Sequence, residues 1–215
     1  MKLKKVGAIC NADGRYYLMD QKDNDGEIVY QWLGDGKSAY PLVGLPVMDV
    51  ENICAMFDIT EKKREKLIMR EMDAPDTMNW EDTDPLERQL DDPKLCVRYN
   101  GMDLLPLETS AGVTFIQEKY LLPLDGLEYM RLYERRGRNG DLFYIVAKIG
   151  MIIQAVIMPM DLPDKDFMVL LDDLMRQCRD AMRKKALIPK RESVAEQEPG
   201  PLFREGGDAG EGARE

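Results

Sequence analysis

A chain of 215 residues with 44% hydrophobic content can bury a core, as one domain or as two small ones, which excludes wholesale intrinsic disorder. Forty acidic residues against thirty basic ones give a net charge of −10, and the absence of histidine removes the commonest general base and metal ligand near neutral pH. The charge is uneven: 71–92 holds nine acids and one base, 189–215 holds seven acids and four bases, and the remainder is nearly neutral at +1.

From the N-terminus, the apolar run Val6 to Cys10 is too short for a signal-peptide core. The first 45 residues read as a β-meander. Leu3 to Cys10, Tyr16 to Asp20, Glu27 to Leu33 and Ser38 to Val43 are separated by three Asp-Gly dipeptides with tight-turn chemistry. Asp49 is placed to cap a short helix carrying Val50, Ile53, Cys54 and Phe57 at helical spacing. Thr60 then opens a second predicted helix, which runs through Met72. Residues 71–93, with three prolines and nine acids, read as a poorly ordered linker or a long surface loop. Trp80 stands alone there and is the kind of side chain that docks, onto its own domain or onto a partner.

The β pattern returns at Leu95 to Tyr99, Asp103 to Leu107, Val113 to Leu122, Tyr129 to Arg135, Leu142 to Ile149 and Met151 to Met158. The last two are apolar on both faces, which predicts central strands. The apolar stretch 149–160 falls short of the ~20 residues of a membrane span, so the expectation is a soluble, cytoplasmic chain with no membrane partner. Next comes an amphipathic helix, Asp164 to Leu187, with Phe167, Leu170, Leu171, Leu174, Cys178, Ala181 and Met182 on one face. Acids at its start and bases at its end suit the helix dipole. The tail 189–215, rich in Glu, Gly and Pro, is expected to be disordered.

The fold class that follows is α+β. An antiparallel meander with two short helices (1–70) precedes the acidic linker or loop (71–93). A second antiparallel sheet, covered by the long C-terminal helix, follows at 94–188; alternatively the two parts share one core.

Chemistry is sparse. Cys10, Cys54, Cys96 and Cys178 lie more than 40 residues apart with no paired-cysteine motif, which suits a reducing compartment and small buried thiols. No nucleophile elbow, phosphate loop or dinucleotide fingerprint occurs. Glu81, Asp82 and Asp84 read as solvated charge rather than a cation site. We therefore expect no catalytic residues, no metal and no cofactor; an enzyme with carboxylate chemistry is the remote alternative. The 15 methionines serve either adaptable core packing or an adaptable contact surface.

Two sets of binding candidates remain. Trp32 and Tyr40 flank a tight turn and, with Trp80, are the candidates for a protein partner or self-association. Nucleic acid is the alternative partner: 49–71 has the outline of a helix-turn-helix, with Lys62, Lys63, Arg64 and Lys66 able to reach phosphates, joined by Arg135, Arg136 and Arg138 at a hairpin tip. An arginine at the inward position of Arg64, and Asp58 where that motif commonly has glycine, suit a plain helical corner equally.

The run Gln31-Trp32-Leu33-Gly34-Asp35-Gly36-Lys37-Ser38-Ala39-Tyr40-Pro41-Leu42-Val43-Gly44-Leu45-Pro46, followed by Phe57-Asp58-Ile59, resembles uncharacterised proteins of bacterial mobile genetic elements. The resemblance covers the first third of the chain. It implies a setting, a bacterial cytoplasm and a role accessory to an integrative element or prophage, and no activity.

Overall fold

A computed structural model of the chain describes residues 1–140, 142–160 and 165–187, so the tail expectation for 189–215 lies outside the described residues. The fold is α+β. Met1–Phe167 forms one compact unit, and Met168 begins a second.

The first element corrects the sequence reading. Leu3–Asp13 is a helix (α1) and not a strand. Leu3, Val6, Gly7 and Cys10 lie one helical turn apart, and Val6, Gly7 and Cys10 are buried on one face. Gly14, at φ 67°, ends the helix in the left-handed conformation, and β1 starts at the next residue. The Asn-Ala-Asp-Gly signal is therefore a helix terminus, with no hairpin there.

Strands β1 (Arg15–Lys22), β2 (Ile28–Gly34) and β3 (Ser38–Pro41) form the expected antiparallel hairpins. Helix α2 (Val50–Met56) starts at Asp49, whose carboxylate accepts from the Asn52 amide at 2.7 Å while Asn52 Oδ1 accepts from the Asp49 amide at 3.1 Å. This reciprocal cap is the one its position predicts. Helix α3 (Glu61–Arg64) is a single turn, and after a turn at 65–67 the second predicted helix gives way to strand β4 (Ile68–Asp73), parallel to β1. Tertiary pairing overrides the helix-favouring residues Met69, Arg70, Glu71 and Met72.

Further on come β5 (Arg88–Gln89), β6 (Val97–Tyr99), β7 (Met102–Thr109), β8 (Gly112–Gln117), β9 (Met130–Arg136), β10 (Phe143–Ile149) and β11 (Ile152–Ile157). One sheet of eight strands runs β4-β1-β2-β3-β11-β10-β9-β5, and β6-β7-β8 forms a sheet of three. The large sheet thus draws strands from both halves of the sequence, joined where Val156 and Ile157 of β11 pair with Ala39 and Ser38 of β3. Strands β10 and β11 are central, as their two apolar faces predict. The predicted strand Val113 to Leu122 breaks after Gln117 into two short 3₁₀ turns that bury Tyr120 and Leu124.

Both faces of the large sheet are covered. Leu18, Leu33, Tyr40, Ile145 and Ile157 pack with Val6, Ile9 and Cys10 of α1 and with Leu105, Leu107 and Ile116 of the small sheet. On the other face Met19, Trp32, Tyr144, Val146 and Val156 lie under Met78 and Trp80. The acidic stretch supplies that second cover, and this is the main correction to the linker reading: 74–87 is a strap laid over the sheet. Ordering it costs ~1–2 kcal/mol per residue. Buried Met78 and half-buried Trp80 return at most ~1.5–3 kcal/mol each, so polar ties must hold the rest.

Arg135 supplies them. Its side chain is fully buried, and all five guanidinium N–H groups have acceptors: Asn79 O at 3.2 Å, Glu81 O at 2.7 Å, Asp82 O at 3.1 Å, and Glu87 Oε2 at 2.8 and 2.6 Å. Lys148 donates to the other oxygen of Glu87 at 2.6 Å, and Asp82 Oδ1 accepts from the Ile153 amide at 2.8 Å. The segment with the highest acid density is held by two buried cations from β9 and β10.

Helix α4 spans Lys165–Leu187, with Asp166 in its first turn and Lys184 and Lys185 in its last. Phe167 is buried against Tyr99 and Phe115, at ring distances of 4.4 and 5.7 Å. Leu170, Leu174 and Met182 are exposed. Among the described residues no helix is long and apolar enough to cross a membrane.

Candidate binding cleft

The β2–β3 hairpin positions the site. Its turn is built by Asp35, whose Oδ1 accepts from the amides of Lys37 (3.0 Å) and Ser38 (2.7 Å) and from the Ser38 hydroxyl (3.0 Å). Gly34 has no alternative, because a Cβ there would lie 1.8 Å from the Ser38 carbonyl oxygen. Gly36, at φ 90°, brings the turn down onto the Tyr17 ring, where a Cβ would sit 2.9 Å away. The turn therefore sets Lys37 beside the outer face of β1.

Alternation along β1 puts Arg15, Tyr17 and Met19 on that face, and the parallel register sets Ile68, Arg70 and Met72 of β4 beside them. With the strap residues Pro75, Met78 and Trp80 as one wall, Arg15, Tyr17, Met19, Arg70 and Met72 enclose a cleft of about 390 Å³, floored further by Ala39, Val156 and Met158. That is the size of a small ligand site. Four methionines and two aromatic rings line it, and its cations are Arg15, Lys37 and Arg70. All three are exposed, and none makes an ion pair among the described residues. The lining has no carboxylate and no thiol. Such a surface attracts negative charge and adapts to apolar side chains.

The sequence candidates fall differently. Trp32 and Tyr40 are 3% and 0% exposed, so neither offers a contact surface. Trp32 packs beneath Trp80 with ring centroids 4.9 Å apart and donates to Gln21. Tyr40 lies in the opposite core and donates to the Tyr120 carbonyl at 2.8 Å. Trp80 is half-buried, donates to the Pro75 carbonyl at 3.0 Å and lines the cleft. The hairpin is thus part of the site through its tip, Gly36 to Ser38, rather than through its aromatics.

Among the basic candidates, Lys62, Lys63 and Lys66 are exposed, while Arg64 pairs with Glu51. The recognition helix that would carry them is one turn long, and Asp58 takes the left-handed φ of 52° at the corner. Arg135 is buried under the strap and cannot reach a ligand. Arg136 and Arg138 are exposed at the end of β9, and five strands separate β9 from β4 in the sheet order. Sequence reading missed Arg15, Lys37 and Arg70. The alternation Arg15-x-Tyr17-x-Met19 was the available signal, but its partner Arg70-x-Met72 reads as helix until β4 is known.

A second cluster lies on the other face. Asp35 is 1% exposed, and burial, followed by its hydrogen bond with Asp13, holds its carboxyl above the ordinary range. Burial also pushes Asp13 upward, but its bonds to Asp35 and to Lys119 (3.0 Å) prevail and leave it below that range. The two carboxyls are shifted in opposite directions, so on acidification Asp35 takes up a proton before Asp13. Burial likewise pushes the Cys10 thiol far up, so it is no thiolate at neutral pH. Cys10 and Cys54 are the expected buried thiols; Cys96 and Cys178 are exposed, against that expectation.

No family model, no curated protein and no solved structure matches the chain.

Proposed function

We propose that this chain is a non-enzymatic interaction protein that receives an anionic segment of another protein in the cleft between β1, β3, β4 and the strap. One observation carries the reading: three cations that make no ion pair among the described residues surround a floor of methionine and aromatic side chains. Ionic attraction would orient the partner, and the soft floor would accept its apolar side chains. The absence of any carboxylate in the lining favours this over carboxylate catalysis. The N-terminal resemblance adds a setting, an accessory or regulatory role for a bacterial mobile element in the cytoplasm. Nucleic-acid binding through Lys62, Lys63 and Lys66 is the second reading, supported by their joint exposure.

The test is capture from bacterial lysate, with and without nuclease, by the tagged chain and by a variant carrying Arg15→Glu, Lys37→Glu and Arg70→Glu. A protein that survives nuclease and is lost by the variant, at unchanged thermal midpoint, is the expected result. Retention by the variant sinks the cleft reading. Loss on nuclease treatment alone moves the second reading forward.

A further inference from the structure

Strand β4 is one edge of the eight-stranded sheet; the other edge, β5, is two residues long. Edges of six residues are templates for a further strand unless they are blocked. The hydrogen bonds show which way β4 turns its backbone. The Ile68 amide donates to Gly14 O at 2.9 Å and the Ala74 amide to Asp20 O at 2.8 Å. Those residues are an even number apart, so the even positions of β4 face β1. The amides and carbonyls of Met69, Glu71 and Asp73 therefore point to the open side. The same parity directs the side chains of Arg70 and Met72 into the cleft.

We infer that an extended peptide of another protein adds to the open edge of β4, placing an acidic side chain against Arg70 and apolar ones beside Ile68 and Met72. This rests on the cleft reading and names its partner's chemistry. Backbone pairing would supply affinity, and alternate side chains would supply selection. Charge fixes the pattern. Arg15 lies one strand inward of Arg70, on the same face. Glu71, which accepts from the Val50 amide at 2.6 Å, and Asp73, paired with Lys22 at 2.6 Å, occupy the opposite face, which favours neutral residues there. The favoured segment thus alternates an apolar–acidic–apolar row with neutral residues. A second copy of this chain fits poorly. Twofold antiparallel pairing through the middle of β4 sets Arg70 against Arg70 or Glu71 against Glu71, and like charges directly opposite destabilise a pair.

The probe is a fluorescein-labelled Thr-Val-Thr-Glu-Thr-Val-Thr peptide, titrated with the full chain by anisotropy. Two further versions carry N-methyl groups, one on the threonines and one on the valines and glutamate. A strand added to a single edge uses only alternate amides. One methylated set should lose more than about tenfold in affinity and the other less than about twofold. Loss confined to the threonine set means antiparallel addition; loss confined to the other set means parallel addition. Absence of binding, or equal effects of the two sets, overturns strand addition. Binding indifferent to methylation but weakened by Arg15→Glu would leave the cleft reading standing without it. Alternation without any effect of Arg15→Glu would instead remove the cleft reading.

Discussion

Arg135 decides whether the acidic stretch belongs to the fold. It is the largest fully buried side chain, and it binds three strap carbonyls and Glu87 at once. Removing one member of a buried ionic network leaves the others desolvated and unpaired, which costs ~3–5 kcal/mol. Arg135→Met should therefore lower stability by about that amount in urea unfolding. A change under ~1 kcal/mol would show that the strap needs no clamp. The Asp13–Asp35 pair makes a pH prediction of definite sign. Asp35 is held above the ordinary carboxyl range, so its contribution is complete below pH ~4 and is lost as pH rises through its folded value. Asp13 is held below that range, so its contribution is present above pH ~4 and is lost on acidification. Asp35→Asn mimics the protonated form. Its unfolding midpoint should fall less than that of the parent chain as pH rises from 4 to 7. Parallel curves would refute the raised Asp35 carboxyl.

At the scale of elements, what could be read in advance divides by the range of the forces involved. The Asp25-Gly26 and Asp35-Gly36 turns, the Asp49 cap and the doubly apolar β10 and β11 are local signals, and each lies where its residues predict. Helix α1 was also locally legible, since Leu3, Val6, Gly7 and Cys10 keep helical spacing, but Asp13-Gly14 imitates a hairpin. Strand β4 was not legible. Its residues favour a helix, and only parallel pairing with β1, some fifty residues earlier, holds it extended. The β2–β3 turn carries the sharpest prediction of this scale. Gly34→Ala forces a Cβ into the Ser38 carbonyl, so the hairpin must shift, at a cost of about 1–3 kcal/mol. Thermal unfolding measures it. A midpoint equal to that of the parent chain would mean that the turn has slack.

Over the molecule as a whole, composition misleads in one respect and informs in another. The net charge of −10 suggests a chain that repels acidic partners. Yet much of the excess acid lies in 71–92, where Arg135 and Lys148 engage the strap, while Arg15, Lys37 and Arg70 line the cleft beside it and make no ion pair among the described residues. The candidate site was hardly legible in advance because it joins β1, β3, β4, β11 and the strap, and no local window holds more than a fragment of it. The excess of methionine was a fair hint, since four of the 15 line the cleft. Binding in the cleft is tested most directly by amide hydrogen exchange on the full chain, alone and saturated with the protein it captures. Slowed exchange is expected at 15–19, 36–39 and 69–74. Slowing confined to 60–66 and 136–138, with the cleft unchanged, would contradict it.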